Sequence, residues 1–269
     1  MTPGLASLGM YDHGPQQAAN DRLWAELARI LRARGIAGVP DRLERRRSVQ
    51  DLWHAPDLLF GQICGYPLVS DPSLSLRVLG VPVYDAPGCS EGLHRSFLIT
   101  RREEVSSIAD YRGRVAAIND RHSNTGTNLF RALIADLAGG EAFFSEVRET
   151  GAHRQSISAI VMGEADIAAI DAVTYAAVLR AEPELATTLR ILGTTAESAT
   201  PPFVTSRNTS IETVAALRMA LADIVADPGL AETRTTLFLR DIVPGSPERY
   251  APLRAIERDA AAAGYPDLR

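Results

Sequence analysis

Cysteine is nearly absent from this chain: only Cys64 and Cys89 are present. Two cysteines cannot build a disulfide framework or a complete cysteine zinc site, although one bridge is open to them in an oxidising compartment. Two buried thiols are the expected state. Long apolar runs are missing too, since no stretch approaches the roughly 20 residues that span a bilayer. Direct membrane insertion is therefore not expected, and any membrane role would run through a partner. The first ten residues, Met1 to Met10, have neither the positive n-region nor the apolar h-region of a secretory signal, so a chain beginning this way is expected in the cytoplasm. An excess of positive charge is also lacking. The 28 basic residues are outnumbered by 33 acidic ones for a net charge of -5, which excludes the footprint of a nucleic-acid or anionic-membrane binder. The one basic run, Arg42 to Arg47, contains Glu44 and reads as a solvated face. The five histidines, His13, His54, His94, His122 and His153, are scattered with no His-Glu-x-x-His among them. No metal and no cofactor are expected.

What is present is ordinary globular composition, 46% hydrophobic and 23% charged residues over 269 positions, enough for one large or two modest cores. Leu23, Trp24, Leu27, Ile30 and Leu31 recur at helical spacing, and Gly35 follows where a helix C-terminal glycine belongs. Short apolar runs at 57–60, 76–83 and 96–100 have the length of buried strands. From Val115 the pattern alternates: strand 115–118, helix 128–137, helix 155–162, strand 166–170, helix 173–179. That is the signature of βαβ units on a mainly parallel sheet. Further strands are expected at 189–192 and 203–205, then a helix over 211–226 capped by Ser210, and two more helical stretches to the end. The self-contained series in the middle divides the chain into a discontinuous lobe, 1–97 with 194–269, and an inserted lobe, 98–193. Two α/β lobes joined by two crossings give a hinge with a ligand cleft.

Three stretches can carry chemistry. Asp120-Arg-His-Ser-Asn-Thr-Gly-Thr127 follows a predicted strand and opens a predicted helix. Such a loop aims unpaired amides, the hydroxyls of Ser123, Thr125 and Thr127, and the positive end of the helix dipole at one point, which suits an anion. A plain N-cap would use the same residues to satisfy the helix's own amides. The loop is not a nucleotide P-loop, because no Lys follows the Gly. His153, just ahead of the next helix, can donate a hydrogen bond to an oxyanion or simply complete a turn. Asp171 ends a buried strand at the carboxyl edge of the sheet, where open α/β sheets hold ligands. It can accept from a ligand ammonium or protonated oxygen, or cap the helix that follows through the amide of Val173 or Thr174.

These residues carry a resemblance. Phe60-Gly61 with Tyr66, Arg112-Gly-Arg-Val-Ala116, Asp120 to Gly126, and above all Gly151-x-His153-x-x-Ser156-x-x-Ala159-x-x-x-Gly163-x-Ala165-Asp166-x-Ala168-Ala-Ile-Asp171-x-Val-Thr-Tyr175 resemble the phosphonate-binding proteins of ABC transporters. The resemblance runs from about Ser7 to Phe203. It implies an α/β fold of the two-lobed type 2 periplasmic-binding kind, a small-molecule oxyanion such as a phosphonate or phosphate ester as ligand, an ABC transporter permease as partner, a monomer, and a periplasmic setting. By motif it implicates Ser123, Asn124, Thr125, His153, Asp171 and Tyr175 in binding, with Tyr11 and Tyr66 from the other lobe. One departure stands out: the family's loop usually reads Ser-Thr-Ser-Gly, and here Asn124 replaces the middle hydroxyl with an amide.

Two other classes of function fit the same expected fold. An enzyme on the same fold, acting on a small heterocycle or phosphorylated metabolite, would need Cys89 or His153 as nucleophile or base and an aromatic cage, and aromatics are only 6% of the chain. An intracellular ligand sensor would use the same cleft. Gly88-Cys-Ser90-Glu-Gly92 matches the nucleophile-elbow pattern, but no helix is predicted after it, so a glycine-rich loop is expected there.

Overall fold

The computed structural model describes residues 4–102 and 107–269. Its main elements begin with strand β1 (Leu5–Ala6), helix α1 (Gly14–Ala33) and strands β2 (Leu58–Gln62), β3 (Leu76–Tyr84), β4 (Ser96–Arg101) and β5 (Val115–Ile118). Helix α2 (Leu129–Ala138), strand β6 (Glu146–Glu149), helix α3 (His153–Val161), strand β7 (Ile167–Asp171) and helix α4 (Ala172–Ala181) follow. Strands β8 (Leu189–Thr194) and β9 (Phe203–Ser206), helix α5 (Ile211–Ala226), strand β10 (Leu239–Val243) and helix α6 (Pro252–Ala262) complete the series. The chain divides into two compact units. The first comprises Met1–Asp85, Ser90–Gly92 and Ala199–Arg249, the second Ala86–Cys89, Leu93–Ser198 and Tyr250–Arg269.

In the first unit the strand order is β1-β2-β9-β3-β10. β1 is parallel to β2, and β9 and β10 run against their neighbours. The apolar stripe of α1 is buried at Leu23, Trp24, Leu27 and Leu31. Trp24 stacks on Phe60 of β2 at 5.8 Å, and Phe60 meets Phe203 of β9 at 5.2 Å, so one aromatic column ties helix to sheet. The helix stops because Gly35 adopts φ 78° and the Ile36 amide turns back to the Leu31 carbonyl at 3.0 Å. Strand β10 escapes sequence reading because it is an edge strand whose Arg240 and Asp241 face solvent.

In the second unit the order is β8-β4-β7-β5-β6. β5 is parallel to β6 and β7, while β4 runs antiparallel to both β7 and β8. Four strands therefore point one way and β4 alone opposes them. The strict two-residue alternation of strands assigns faces. Leu98, Ala116, Ile118, Ile167 and Ala169 join Phe130 and Ile134 of α2 on one side. Phe97, Ile99, Ala117, Ala168 and Ile170 join Ile157 and Ile160 of α3 and Val178 of α4 on the other. With both faces covered, the sequence of these strands reads as continuous apolar runs rather than alternation.

The division differs from the sequence expectation at the carboxyl end. Residues 250–269 were expected with the discontinuous lobe, yet they pack on the second unit. Ala260, Tyr265 and Leu268 fill the face that α2 covers. The Phe143 amide donates to the Arg269 carbonyl at 2.7 Å and Arg131 Nη1 to the Pro266 carbonyl at 2.7 Å. Nothing local in the sequence says which sheet the apolar side of α6 will cover. Around the elbow-like motif, Cys89–Ser90 and Leu93–His94 are two-residue strands separated by Glu91 at φ 38° and Gly92 at φ 76°. Two successive positive φ values make a tight reversal, and no helix follows. Cys64 is buried, but Cys89 is only half-buried, and both are thiols.

Candidate functional site

The Asp120–Thr127 loop sits at the carboxyl end of β5 and enters α2 through a single wide turn. The Asn128 amide reaches the Ser123 carbonyl, five residues back, at 3.0 Å, giving a π-helical turn over Asn124–Asn128. π turns inside helices are costly and recur at functional sites. Ser123 caps it, its hydroxyl accepting from the Gly126 amide at 3.1 Å. Asn124 Nδ2 donates to Ser198 Oγ at 2.9 Å, and its carbonyl oxygen accepts from Asn128 Nδ2 at 3.3 Å. Ser96 of β4 donates to the Thr125 carbonyl at 2.8 Å. Thr127 is turned inward, donating to the Asp120 carbonyl at 2.7 Å, so the hydroxyl expected to face an anion holds the loop instead.

Thr125 Oγ1 lies 3.1 Å from His153 Nε2. That contact joins the start of the α2 turn to the first residue of α3, placing two positive helix ends side by side. Gly126 permits the approach: a Cβ there would come within 1.8 Å of Asn119 Oδ1 and 3.1 Å of His153 Cε1. Any side chain at 126 would push the loop off the imidazole.

Asp171 ends β7 and caps α4, Oδ1 accepting from the Thr174 amide at 3.0 Å. Its other oxygen is 2.8 Å from His94 Nδ1, and both side chains are 97% buried. Burial alone would push this carboxyl up, but the approach of the His94 and His153 imidazoles and the Thr174 amide outweigh it and bring it down to about 2. The group stays an anion in a dry setting. Tyr175 points into the core beneath α4, 5.3 Å from the ring of Phe97; burial pushes its phenol up.

Ser123, Asn124, Thr125, His153 and Asp171 thus come together in the second unit, at the carboxyl ends of β5 and β7. Tyr11 and Tyr66 belong to the first. Tyr11 makes an edge-to-face contact with Tyr84 at 5.4 Å and lines a cavity of about 20 Å³ with Asn20, Gln62 and Tyr84, room for about one water molecule. Gln62 Nε2 donates to Tyr84 Oη at 2.8 Å. Tyr66 lies buried in the short helix Gly65–Ser70. Sequence reading missed Ser96 and His94. Ser96 pairs with Asp171 in the β4–β7 register, and only that register brings His94 to the carboxylate. Among the described residues, no group of three or more His, Cys, Asp or Glu side chains could hold a metal ion, and no helix is long and apolar enough to cross a membrane.

A family model for the periplasmic phosphonate substrate-binding proteins of ABC transporters matches residues 66–250. The chain belongs to this family. Solved structures carry the same fold. The binding-protein component of an ABC phosphonate transporter from Pseudomonas aeruginosa superposes with TM-score 0.78 at 14% identity, covering 98% of this chain and 88% of that one. PhnD1 from Prochlorococcus marinus, in complex with methylphosphonate, gives 0.74 at 11% identity over 97% of this chain and 98% of its own. XAC2383 from Xanthomonas citri, bound to chloride ion, gives 0.72 at 15% identity over 97% and 98%. No curated protein matches the chain. This phosphonate-family substrate-binding protein therefore has the type 2 periplasmic-binding fold.

Proposed function

We propose that this substrate-binding protein holds a small oxyanion of the phosphonate class and presents it to an ABC permease. The observation that carries the reading is the Thr125 Oγ1 to His153 Nε2 contact of 3.1 Å at two abutting helix starts. A hydroxyl, an imidazole and helix-terminal amides facing one point are the donors an oxyanion needs. Ser123 and Asn124 shape the turn, and the Asn124 amide in place of a hydroxyl offers N–H donors and a carbonyl where the family usually has an alcohol. Asp171, with each oxygen already engaged, acts by orienting His94 and by keeping a negative charge near His153. That charge disfavours a fully ionised phosphate and favours a ligand bearing a protonated oxygen or an ammonium group. The methylphosphonate complex of PhnD1 supports the ligand class.

Calorimetry with phosphate, phosphite, methylphosphonate, aminoethylphosphonate and sulfate tests the reading. Thr125→Ala and His153→Ala are each expected to weaken binding of the preferred anion by about 1–3 kcal/mol, the range for leaving a buried charged partner one donor short. If none of the five binds the wild type at millimolar concentration, the oxyanion reading fails.

A further inference from the structure

The first unit carries a second concave feature that the ligand site does not use. A groove of about 510 Å³ lies where β3 begins, beside α5 and the loop after β10. β3 runs nine residues from Leu76 to Tyr84, about 25 Å at strand rise, so the groove is at the opposite end of that strand from the Tyr11–Tyr84 pair. Its rim holds Arg77, Arg207 and Arg218, and no acidic residue lines it.

Among the described residues, none of these three guanidiniums makes an ion pair, whereas Arg29, Arg34, Arg45, Arg95 and Arg154 each pair with a carboxylate. Arg77 Nε donates to the Arg207 carbonyl at 3.3 Å and Arg218 Nη2 to the Val78 carbonyl at 3.0 Å. With five donors per guanidinium, most of each fork stays available. The two carboxylates nearest in sequence are turned elsewhere: Glu212 accepts from Ser210 and its own amide, and Glu248 from Ser246 and its own amide. Between the cations lies apolar surface. Ile211, Val214, Ala215 and Arg218 follow one another at helical spacing along the groove-facing side of α5, and Ile211 is 72% exposed. A lone inorganic anion would satisfy the arginines and leave that aliphatic strip wet.

We propose that this groove docks an acidic and apolar segment of a partner protein, two or more carboxylates engaging the arginines in bidentate fashion while a branched or aromatic side chain covers Ile211 and Ala215. Arginine at such positions gives geometry as well as charge, because its planar fork matches carboxylate. The proposal is independent of which ligand the other unit binds.

A random-peptide display library panned on the full-length protein at low ionic strength tests it. Enriched peptides should combine Asp or Glu with Leu, Ile or Phe. The best synthetic peptide, followed by fluorescence anisotropy, should lose roughly tenfold or more in affinity to the Arg77→Ala/Arg207→Ala/Arg218→Ala variant, and its Gln-for-Glu counterpart should bind as weakly. Two single changes on exposed positions, Arg207→Gln and Ile211→Asp, guard against a variant that fails to fold, and each should weaken the peptide several-fold. No enrichment, enrichment of neutral or basic peptides, full affinity in the triple variant, or binding to anionic phosphatidylglycerol vesicles in place of peptide would overturn it.

Discussion

The two units treat their buried polar groups differently. In the second, Ser96, Asn124, Thr125, His153, Asp171 and His94 come from separate strands, a π turn and helix starts, and hold one another across the fold. In the first, Tyr11, Tyr84, Gln62 and Asn20 surround a one-water cavity within an aromatic core. One region stores electrostatic pre-organisation, the kind that the proposed oxyanion site requires. The other supplies packing and neutral hydrogen bonds. Removing a group from the first kind of region leaves partners unsatisfied in a low dielectric, whereas the second can relax.

The sharpest break of this contrast is Asp171→Ala. It strips the α4 cap and leaves His94 buried without its carboxylate, and denaturant unfolding should show a loss of about 3–5 kcal/mol. Acid should probe the same group reversibly. Because the folded carboxyl titrates near 2 against an ordinary 3.8, its contribution is fully present above about pH 4. It falls away as pH drops from there toward 2. At roughly 1.4 kcal/mol per unit the total is about 2 kcal/mol, and Asp171→Asn should flatten the stability profile over that window.

Gly126→Ala separates steric from electrostatic control of the loop. The new methyl meets Asn119 Oδ1, so a loss of about 1–3 kcal/mol is expected, with weaker anion binding. The Gly126→Ala/Asn119→Ala pair should recover part of the stability in a double-mutant cycle; a purely additive result would remove Asn119 as the obstacle. The smallest effect belongs to the first unit. Tyr84→Phe removes the acceptor for Gln62 Nε2 and should cost about 1 kcal/mol, leaving anion binding unchanged if the hydroxyl matters only for packing.

The features legible in the sequence divide from the rest along physical lines. Helix α1, strand β5 and helix α5 were legible because each carries its own period, cap or breaker: the Leu23 to Leu31 stripe with Gly35, the Val115 to Ile118 run, and Ser210 ahead of Ile211. Ser123, Thr125, His153 and Asp171 stand out in the sequence because hydroxyls, an imidazole and an acid lie at predicted strand-to-helix junctions, and the structure places them at the carboxyl ends of β5 and β7. Strands β6 and β10 were not, being short, polar and held by their neighbours.

By itself, then, the sequence determined where the chain turns, which segments are apolar, and which residues stand at helix starts, since these depend on neighbours within a few positions. Only the tertiary structure decided the rest. Strand register placed His94 on Asp171 and Ser96 beneath Thr125. Packing turned Thr127 inward and Tyr175 into the core, and sent residues 250–269 to the second unit. Each of these joins groups distant in sequence, and no local preference encodes which distant surface a side chain will meet.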